Sequence, residues 1–221
     1  MRVKKKLCLA VLSLLLAGPA LSSDDPAMDA RIAELQTGWA HVKYEVKGED
    51  AQQQAMDSLA AMAKSVTAAH PGKAEPLIWE AIILSTEAGI KGGMGALSLV
   101  KDAKAKLEEA ERINPAALDG SVSTSLGSLY YQVPGFPLGF GNDKKARAYL
   151  EKALVQNPDG LDSNYFYGDF LFRQGEYVKA REALTHALAA APRPGREVAD
   201  LGRREEINDI LAKVEAKLNR R

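Results

Sequence analysis

Hydrophobic and polar residues alternate along most of the chain with the spacing of amphipathic helices. Apolar residues, mainly Ala and Leu, recur every three or four positions, which predicts helices with one buried face. Four of these segments run into a proline: Pro71, Pro115, Pro158 and Pro192. Because the residue before a proline is disfavoured in the α region, each proline predicts the end of a helix. The pattern therefore predicts an all-α fold with no sheet.

The spacing of these prolines also predicts a repeat. They lie 44, 43 and 34 residues apart, and the last spacing equals the period of about 34 residues of a tetratricopeptide repeat (TPR). Small residues and one leucine fall in residues 161–194 where two helices of such a repeat approach closely: Gly168, Ala180, Leu184 and Ala187, followed by Pro192. This unit resembles a TPR, in which helical hairpins stack into a solenoid with a concave groove.

Three earlier units, residues 28–71, 76–115 and 120–160, resemble it less closely. The last of them places Gly127 and Leu150 where residues 161–194 have Gly168 and Leu184. Insertions within residues 89–95 and 133–143 separate the helices of two units, so we expect two loops side by side on one edge.

A closing helix is predicted over residues 200–219. Its apolar stripe comprises Leu201, Ile207, Ile210, Leu211, Val214 and Leu218. A polar-faced helix of this kind caps the last repeat of a solenoid. The complete prediction is one TPR-like helical-hairpin solenoid over residues 24–221, with about nine helices and a C-terminal capping helix.

Residues 1–23 have the pattern of a secretory signal peptide. Basic residues precede the apolar run of residues 7–16, and small residues follow it. The run is shorter than the roughly 20 residues that a membrane-spanning helix needs, although a retained anchor is the alternative. A lipoprotein is disfavoured because Cys8 lies near the start of the run. We expect a periplasmic or secreted protein with no stable membrane span after signal removal.

Charge and cysteine content narrow the function further. The chain has 221 residues, with 29 basic and 29 acidic side chains and a net charge of zero, which argues against nucleic-acid binding. Removal of residues 1–23 takes away four basic residues and no acidic one, which leaves 25 against 29 and a net charge of −4. It also removes the only cysteine, so packing alone must hold the exported chain together.

Nothing in the sequence predicts catalysis, a cofactor or a metal. The three histidines, His41, His70 and His186, lie in different units, and none has a second ligand at metal-binding spacing. The motifs of serine hydrolases, zinc proteases and phosphate-binding loops are absent from the sequence. The sequence therefore predicts a protein that is not an enzyme.

The first helices of the repeats are expected to build the concave groove and to bind a partner there. The groove-facing TPR positions are Glu80, Leu84, Glu87, Thr124, Ser128, Tyr131, Gln132, Tyr165, Asp169, Phe172 and Arg173. They predict an aromatic, polar and slightly acidic floor suited to an extended peptide or a helix. With Arg173 as the only arginine, capture of a C-terminal carboxylate is disfavoured. Alternatively, Tyr165 and Phe172 only pack between helices.

The insertion at residues 134–141 is unusually apolar for a linker, with Phe136, Leu138 and Phe140. Two interpretations are open. The loop covers the groove or contacts a partner, or it is a hydrophobic plug buried against a neighbouring repeat, with Asp143 capping the next helix.

The same insertion resembles a known family. Residues 130–146, with residues 150–154 and the pair Asn157-Pro158, are similar to the TPR proteins associated with TRAP-type periplasmic transporters, and the resemblance extends over about residues 76–195. It implies a helical scaffold that binds the ligand-binding protein of the transporter and itself holds ligand in a pore.

Two functions therefore remain in view. The first is a periplasmic, non-catalytic scaffold that binds an unidentified protein or peptide in its groove. The alternative is a small-ligand carrier or TRAP-transporter accessory protein. Its hydrophobic pocket would lie beneath the insertion loops, near Trp79, Phe136 and Phe140.

Overall fold

Helices account for nearly all of the regular structure. The computed structural model describes residues 25–219, so the expected signal peptide, with Cys8, lies outside the described residues. Nine α-helices and one π-helical turn occur in this range: α1 (Pro26–Ala40), the π turn (His41–Glu45), α2 (Glu49–Ala69), α3 (Ala74–Lys91), α4 (Gly93–Ile113), α5 (Ala117–Gln132), α6 (Asp143–Gln156), α7 (Leu161–Arg173), α8 (Tyr177–Leu188) and α9 (Glu197–Leu218). Over residues 25–219 there is no strand, only an isolated bridge between Gly135 and Gly141. The all-α prediction is confirmed.

The prolines stop helices as expected. Helices α2, α4 and α6 each end two residues before a proline, and α8 ends shortly before Pro192. Within residues 25–219, each helix is too short or too polar to cross a membrane.

Close contacts between paired helices explain the small residues of the repeats. A Cβ added to Gly168 of α7 would lie 2.6 Å from Leu184 Cγ of α8, and one on Gly127 of α5 would lie 2.7 Å from Leu150 Cγ of α6. Both leucines are fully buried. The predicted approach of the two helices in each of these hairpins is confirmed.

The insertion at residues 89–95 does not form the predicted loop. Helix α3 continues to Lys91 and α4 begins at Gly93, so Gly92 alone separates them. Gly92 has φ +61°, a left-handed conformation that glycine adopts without a Cβ clash. The extra residues lengthen both helices of this hairpin. The expectation of two adjacent loops was therefore wrong.

The second insertion forms a real loop, but it is not a buried plug. Phe140 packs edge-on against Tyr130, with ring centroids 5.8 Å apart. In contrast, Phe136 is 93% exposed and Leu138 is 71% exposed, and the Phe136–Pro137 bond is cis. The plug interpretation holds for Phe140 alone, because the other two apolar side chains point into solvent.

The cap of α6 is Asn142, not Asp143. The extended backbone of Asn142 directs its side-chain oxygen to the N–H of Lys145 at 2.9 Å. Asp143 is already the first residue of the helix, which makes it unsuitable as the cap.

Asn142→Ala should therefore destabilise the protein by about 1 kcal/mol, because an N–H of the first turn loses its acceptor. Asp143→Ala is the matched control and should cost roughly 0.5 kcal/mol, the loss of a favourable charge at the helix N-terminus. Urea unfolding followed by circular dichroism measures both. A larger loss for Asp143→Ala than for Asn142→Ala would contradict the assignment.

Helix α9 connects the first and last elements of the described residues. It packs on α7 and α8 and also on α1 and the π turn. A Cβ on Gly202 would lie 2.4 Å from Tyr44 Cδ1, and Lys43 Nζ lies 2.8 Å from Glu206 Oε1. Besides capping the last repeat, α9 therefore closes the concave side against the first helix.

One member of the predicted α9 stripe is misplaced. Ile207, Ile210 and Val214 are buried as expected, whereas Leu201 is 63% exposed. The first turns of α9 instead turn Ala199 and Arg203 inward. Leu201 lies outside the stripe because this end of α9 packs against the N-terminal helices as well as the last repeat.

Candidate binding cavity

The concave side of the helices forms a cavity of about 1020 Å³ that is open to solvent. Its walls come from α1, the π turn, α2, α3, α5, α7, α9 and the segments that precede α7 and α9. Aromatic and aliphatic side chains line part of it: Trp39, Trp79, Ile82, Ile90, Leu118, Tyr165 and Phe166. Hydroxyl and amide groups of α3 and α5 line another part. The mixture of apolar walls and a few polar groups is typical of ligand and peptide sites.

Four of the predicted groove residues line this cavity: Thr124, Ser128, Gln132 and Tyr165. The three from α3 do not. Glu80 is buried with its Oε1 2.8 Å from Lys106 Nζ of α4. Leu84 packs against the main hydrophobic core.

Glu87 also faces a neighbouring helix. It is buried, and burial, followed by the charge of Asp57 on α2, raises its pKa. Helix α3 therefore turns a different face to the cavity from the one that the repeat mapping predicts. That face carries Trp79, Ile82, Ser85, Thr86, Gly89 and Ile90.

The remaining predicted residues tie α5 and α7 together. Tyr131 Oη donates a hydrogen bond to Asp169 Oδ2 at 2.8 Å, and Arg173 Nε donates to the same oxygen at 3.1 Å. Burial, followed by the charge of Asp169, raises the pKa of Tyr131 well above its ordinary value. Phe172 packs on Tyr177 of α8, with ring centroids 5.8 Å apart. The packing interpretation therefore describes Phe172, whereas Tyr165 reaches the cavity.

The groove mapping missed four cations that line the cavity: Lys43, Arg193, Arg196 and Arg203. They belong to the π turn, the segment between α8 and α9, and α9. The predicted floor with Arg173 as its only arginine was wrong because the mapping considered only the first helix of each repeat. The high density of arginines after Pro192 was the available signal.

Three of these cations belong to an ion-pair network. Arg203 Nε lies 2.8 Å from Asp162 Oδ1, and its guanidinium carbon lies 4.1 Å from the centre of the Tyr165 ring. Arg193 Nη1 lies 2.7 Å from Asp162 Oδ2 and also bonds Asp200. Burial alone would raise the pKa of Asp162, but the charges of Arg203 and Arg193 hold it well below its ordinary value.

Lys43 completes this network from the N-terminal side. Burial, and then the charge of Arg203, lowers the pKa of Lys43 to about 8 despite its pairing with Glu206. The network thus connects the π turn to α7 and α9 across the wall of the cavity.

The backbone is strained where α5 meets the cavity. Leu118 and Asp119 have φ values of +50° and +53°, and both line the cavity. A left-handed conformation costs a residue with a Cβ roughly 1–2 kcal/mol, and strain of this kind is concentrated at functional sites.

The cavity does not lie where the sequence placed a hydrophobic pocket. Trp79 lines it, but Phe136 and Phe140 do not. The loop at residues 133–142 is therefore not its roof, and that part of the prediction was wrong.

The histidines and acids of the described residues suggest no metal site. No group of three or more His, Cys, Asp or Glu side chains in residues 25–219 is placed to hold an ion. His70 and His186 each face one acid, with His70 Nδ1 3.1 Å from Asp25 Oδ2 and His186 Nε2 2.9 Å from Asp159 Oδ1.

Comparison with known proteins supports the repeat assignment. Residues 138–204 match the model of the tetratricopeptide repeat family, a range that includes the predicted unit at residues 161–194. The structure of MamA from AMB-1 is similar with a TM-score of 0.48 and 18% identity, and the match covers 89% of this chain and 100% of that one. PilF of Pseudomonas aeruginosa is similar with a TM-score of 0.35 and 18% identity, over 88% of this chain and 93% of that one. No curated protein matches the chain.

Proposed function

We propose that this chain is a non-catalytic TPR-like scaffold that binds a segment of a partner protein in its concave cavity. The observation that carries the proposal is the cavity of about 1020 Å³, lined by aromatic rings beside hydroxyl and amide groups. Repeat solenoids use their concave surfaces to bind partners. Aromatic anchors in such a recess supply most of the binding free energy of peptide recognition.

The proposed place of action is the periplasm. Its support is the signal-peptide pattern of residues 1–23, whose removal leaves an exported chain without cysteine. The resemblance of residues 130–146 to TPR proteins of TRAP-type transporters makes a periplasmic ligand-binding protein the first partner to test.

A small-ligand carrier or transporter accessory is the second candidate. The contact of α9 with α1 favours it, because α9 adds a further wall to the groove. Its volume is close to the upper end of the roughly 300–1000 Å³ that is common for small-molecule sites. In this candidate the concave cavity is the ligand pocket.

A bulky side chain inside the cavity tests the scaffold function. Ser125 lines the cavity from α5, so the indole of Ser125→Trp should occupy it and abolish capture of the partner from a periplasmic extract. Ser58→Trp is the matched control because Ser58 is exposed on α2, and it should capture as the wild type does. Circular dichroism checks that each variant is folded.

Capture of the same protein by the wild type and by Ser125→Trp would contradict the proposal. Loss of capture in Phe136→Ala, with Ser125→Trp still active, would place the interface on the exposed loop instead. Native mass spectrometry of the wild type tests the second candidate, which predicts a bound small molecule.

A further inference from the structure

Arg196 differs from the other cations of the cavity. Lys43, Arg193 and Arg203 each have an acidic partner within hydrogen-bonding distance. Arg196 has none among the described residues, and its Nε is buried without an acceptor. Its guanidinium carbon lies 5.1 Å from the centre of the Trp79 ring. Arg196 therefore lines the cavity as a partly buried cation with no carboxylate in hydrogen-bonding contact, although the charges of Asp162 and Asp200 act on it from farther away.

Arg196 is the one cation of the cavity wall without a direct ion pair. The other three pair with three acids of the network: Asp162, Asp200 and Glu206. The other acids of the cavity wall, Glu49, Asp119 and Asp159, are exposed, and Asp159 already faces His186. Burial, and then the charge of Arg193, lowers the pKa of Arg196, while the charges of Asp162 and Asp200 act in the opposite direction. An anion in direct contact with Arg196 would recover free energy that burial of the cation costs.

The ring beneath Arg196 carries a second donor without an acceptor. Trp79 is only 5% exposed, lines the cavity, and its indole Nε1 has no hydrogen-bond partner in the described part of the chain. Trp79 Nε1 and Arg196 Nε have almost no accessible surface, so a ligand in the cavity would meet the indole through its ring and the guanidinium through its terminal nitrogens.

We propose that the cavity binds its ligand through a carboxylate held by Arg196, with an apolar portion of the ligand against Trp79 and the neighbouring aliphatic side chains. The planar fork of a guanidinium matches a carboxylate with two parallel hydrogen bonds. One guanidinium without a direct ion pair suits the single charge of a monocarboxylate and not a phosphate dianion. This inference rests on the proposed function, because both take the concave cavity as the binding site. The carboxylate belongs either to a free organic acid or to the partner segment.

The two tryptophans of the chain, Trp39 and Trp79, both line the cavity, so intrinsic fluorescence reports on it directly. Hexanoate is the probe, and hexanamide is its uncharged analogue. We expect a saturable change of the tryptophan fluorescence when hexanoate is added to the wild type. Arg196→Gln should bind hexanoate about tenfold to a hundredfold more weakly, as expected for loss of a hydrogen bond to a charged group. Arg181→Gln, on the exposed side of α8, is the charge-matched control and should bind hexanoate normally.

Arg196→Gln is suited to this test because Arg196 has no direct ion pair to lose, only its contact with the ring of Trp79. Its melting temperature should stay close to that of the wild type, so weaker binding cannot be attributed to unfolding. The proposal is overturned if hexanoate produces no response, if hexanamide or inorganic phosphate binds as tightly as hexanoate, or if Arg196→Gln binds hexanoate like the wild type.

Hexanoate added to the pull-down distinguishes the two sources of the carboxylate. Release of the captured protein would show that its own carboxylate occupies the site, and retention with hexanoate bound would identify a free acid as the ligand. Hexanoate binding without any captured protein would reject the scaffold function and keep the carboxylate site. If the wild type captures a protein, Ser125→Trp does not, and hexanoate does not bind, the scaffold function is kept and the carboxylate site is rejected.

Discussion

Arg203→Met should lower the free energy of unfolding by about 3–5 kcal/mol, because it removes the buried cation that Asp162 and Glu206 share. Arg203 is 5% exposed, with Nε 2.8 Å from Asp162 Oδ1 and a second ion pair to Glu206. Methionine keeps much of the length and the apolar contact with the ring of Tyr165. The loss of unfolding free energy therefore reports removal of the charge of Arg203 and not removal of side-chain volume. Urea unfolding followed by circular dichroism is the measurement.

Arg181→Met is the control for this exchange. Arg181 is 46% exposed and lies 3.7 Å from Glu215 Oε1, so the loss should be under about 1 kcal/mol. Adding Asp162→Asn to Arg203→Met should recover part of the lost stability, because the side chain at position 162 then no longer carries the charge that Arg203 balanced. Equal stability of Arg203→Met and Arg181→Met would show that the network does not hold α9 in place.

Leu184→Ala should lower the free energy of unfolding by about 2–5 kcal/mol through the cavity that it leaves between α7 and α8. Leu184 has no exposed surface and fills the space that Gly168 opens in the facing helix. The matched control is Leu201→Ala in α9, which should change stability by less than about 0.5 kcal/mol because Leu201 is largely in solvent. Thermal and urea unfolding of both variants make the comparison.

A second exchange tests the geometry of this contact. Gly168→Ala alone should be destabilising, because its Cβ would lie 2.6 Å from Leu184 Cγ. In the Leu184→Ala background the same methyl group enters vacated space, so the combined loss should be smaller than the sum of the two single losses. Additive losses would contradict the close approach.

The fold was predictable where local rules determine it. Proline residues mark the ends of helices, and the small residues of residues 161–194 identify a hairpin because close helix packing requires them. The glycine-rich residues 89–95 misled the prediction. Four glycines in this segment suggest a loop, but packing of α3 on α4 extends both helices and leaves only Gly92 to turn the chain.

The cavity was only partly predictable. Thr124, Ser128 and Tyr165 follow from the repeat positions, whereas Glu80 and Glu87 do not line the cavity because α3 is packed on both sides by α2 and α4. Arg196 and Arg203 come from outside the repeats. Their positions depend on contact between α9 and α1, which no periodicity in the sequence reports.

The contact of α9 with α1 changes how the repeats depend on one another. In an open solenoid each repeat touches only its neighbours, so terminal units fray independently and further units can be added at either end. Here the two ends are joined through Gly202 and Tyr44 and through Lys43 and Glu206. Over residues 25–219 the first helices therefore contact the last helix as well as their own neighbours. The hairpins should consequently melt together instead of one after another.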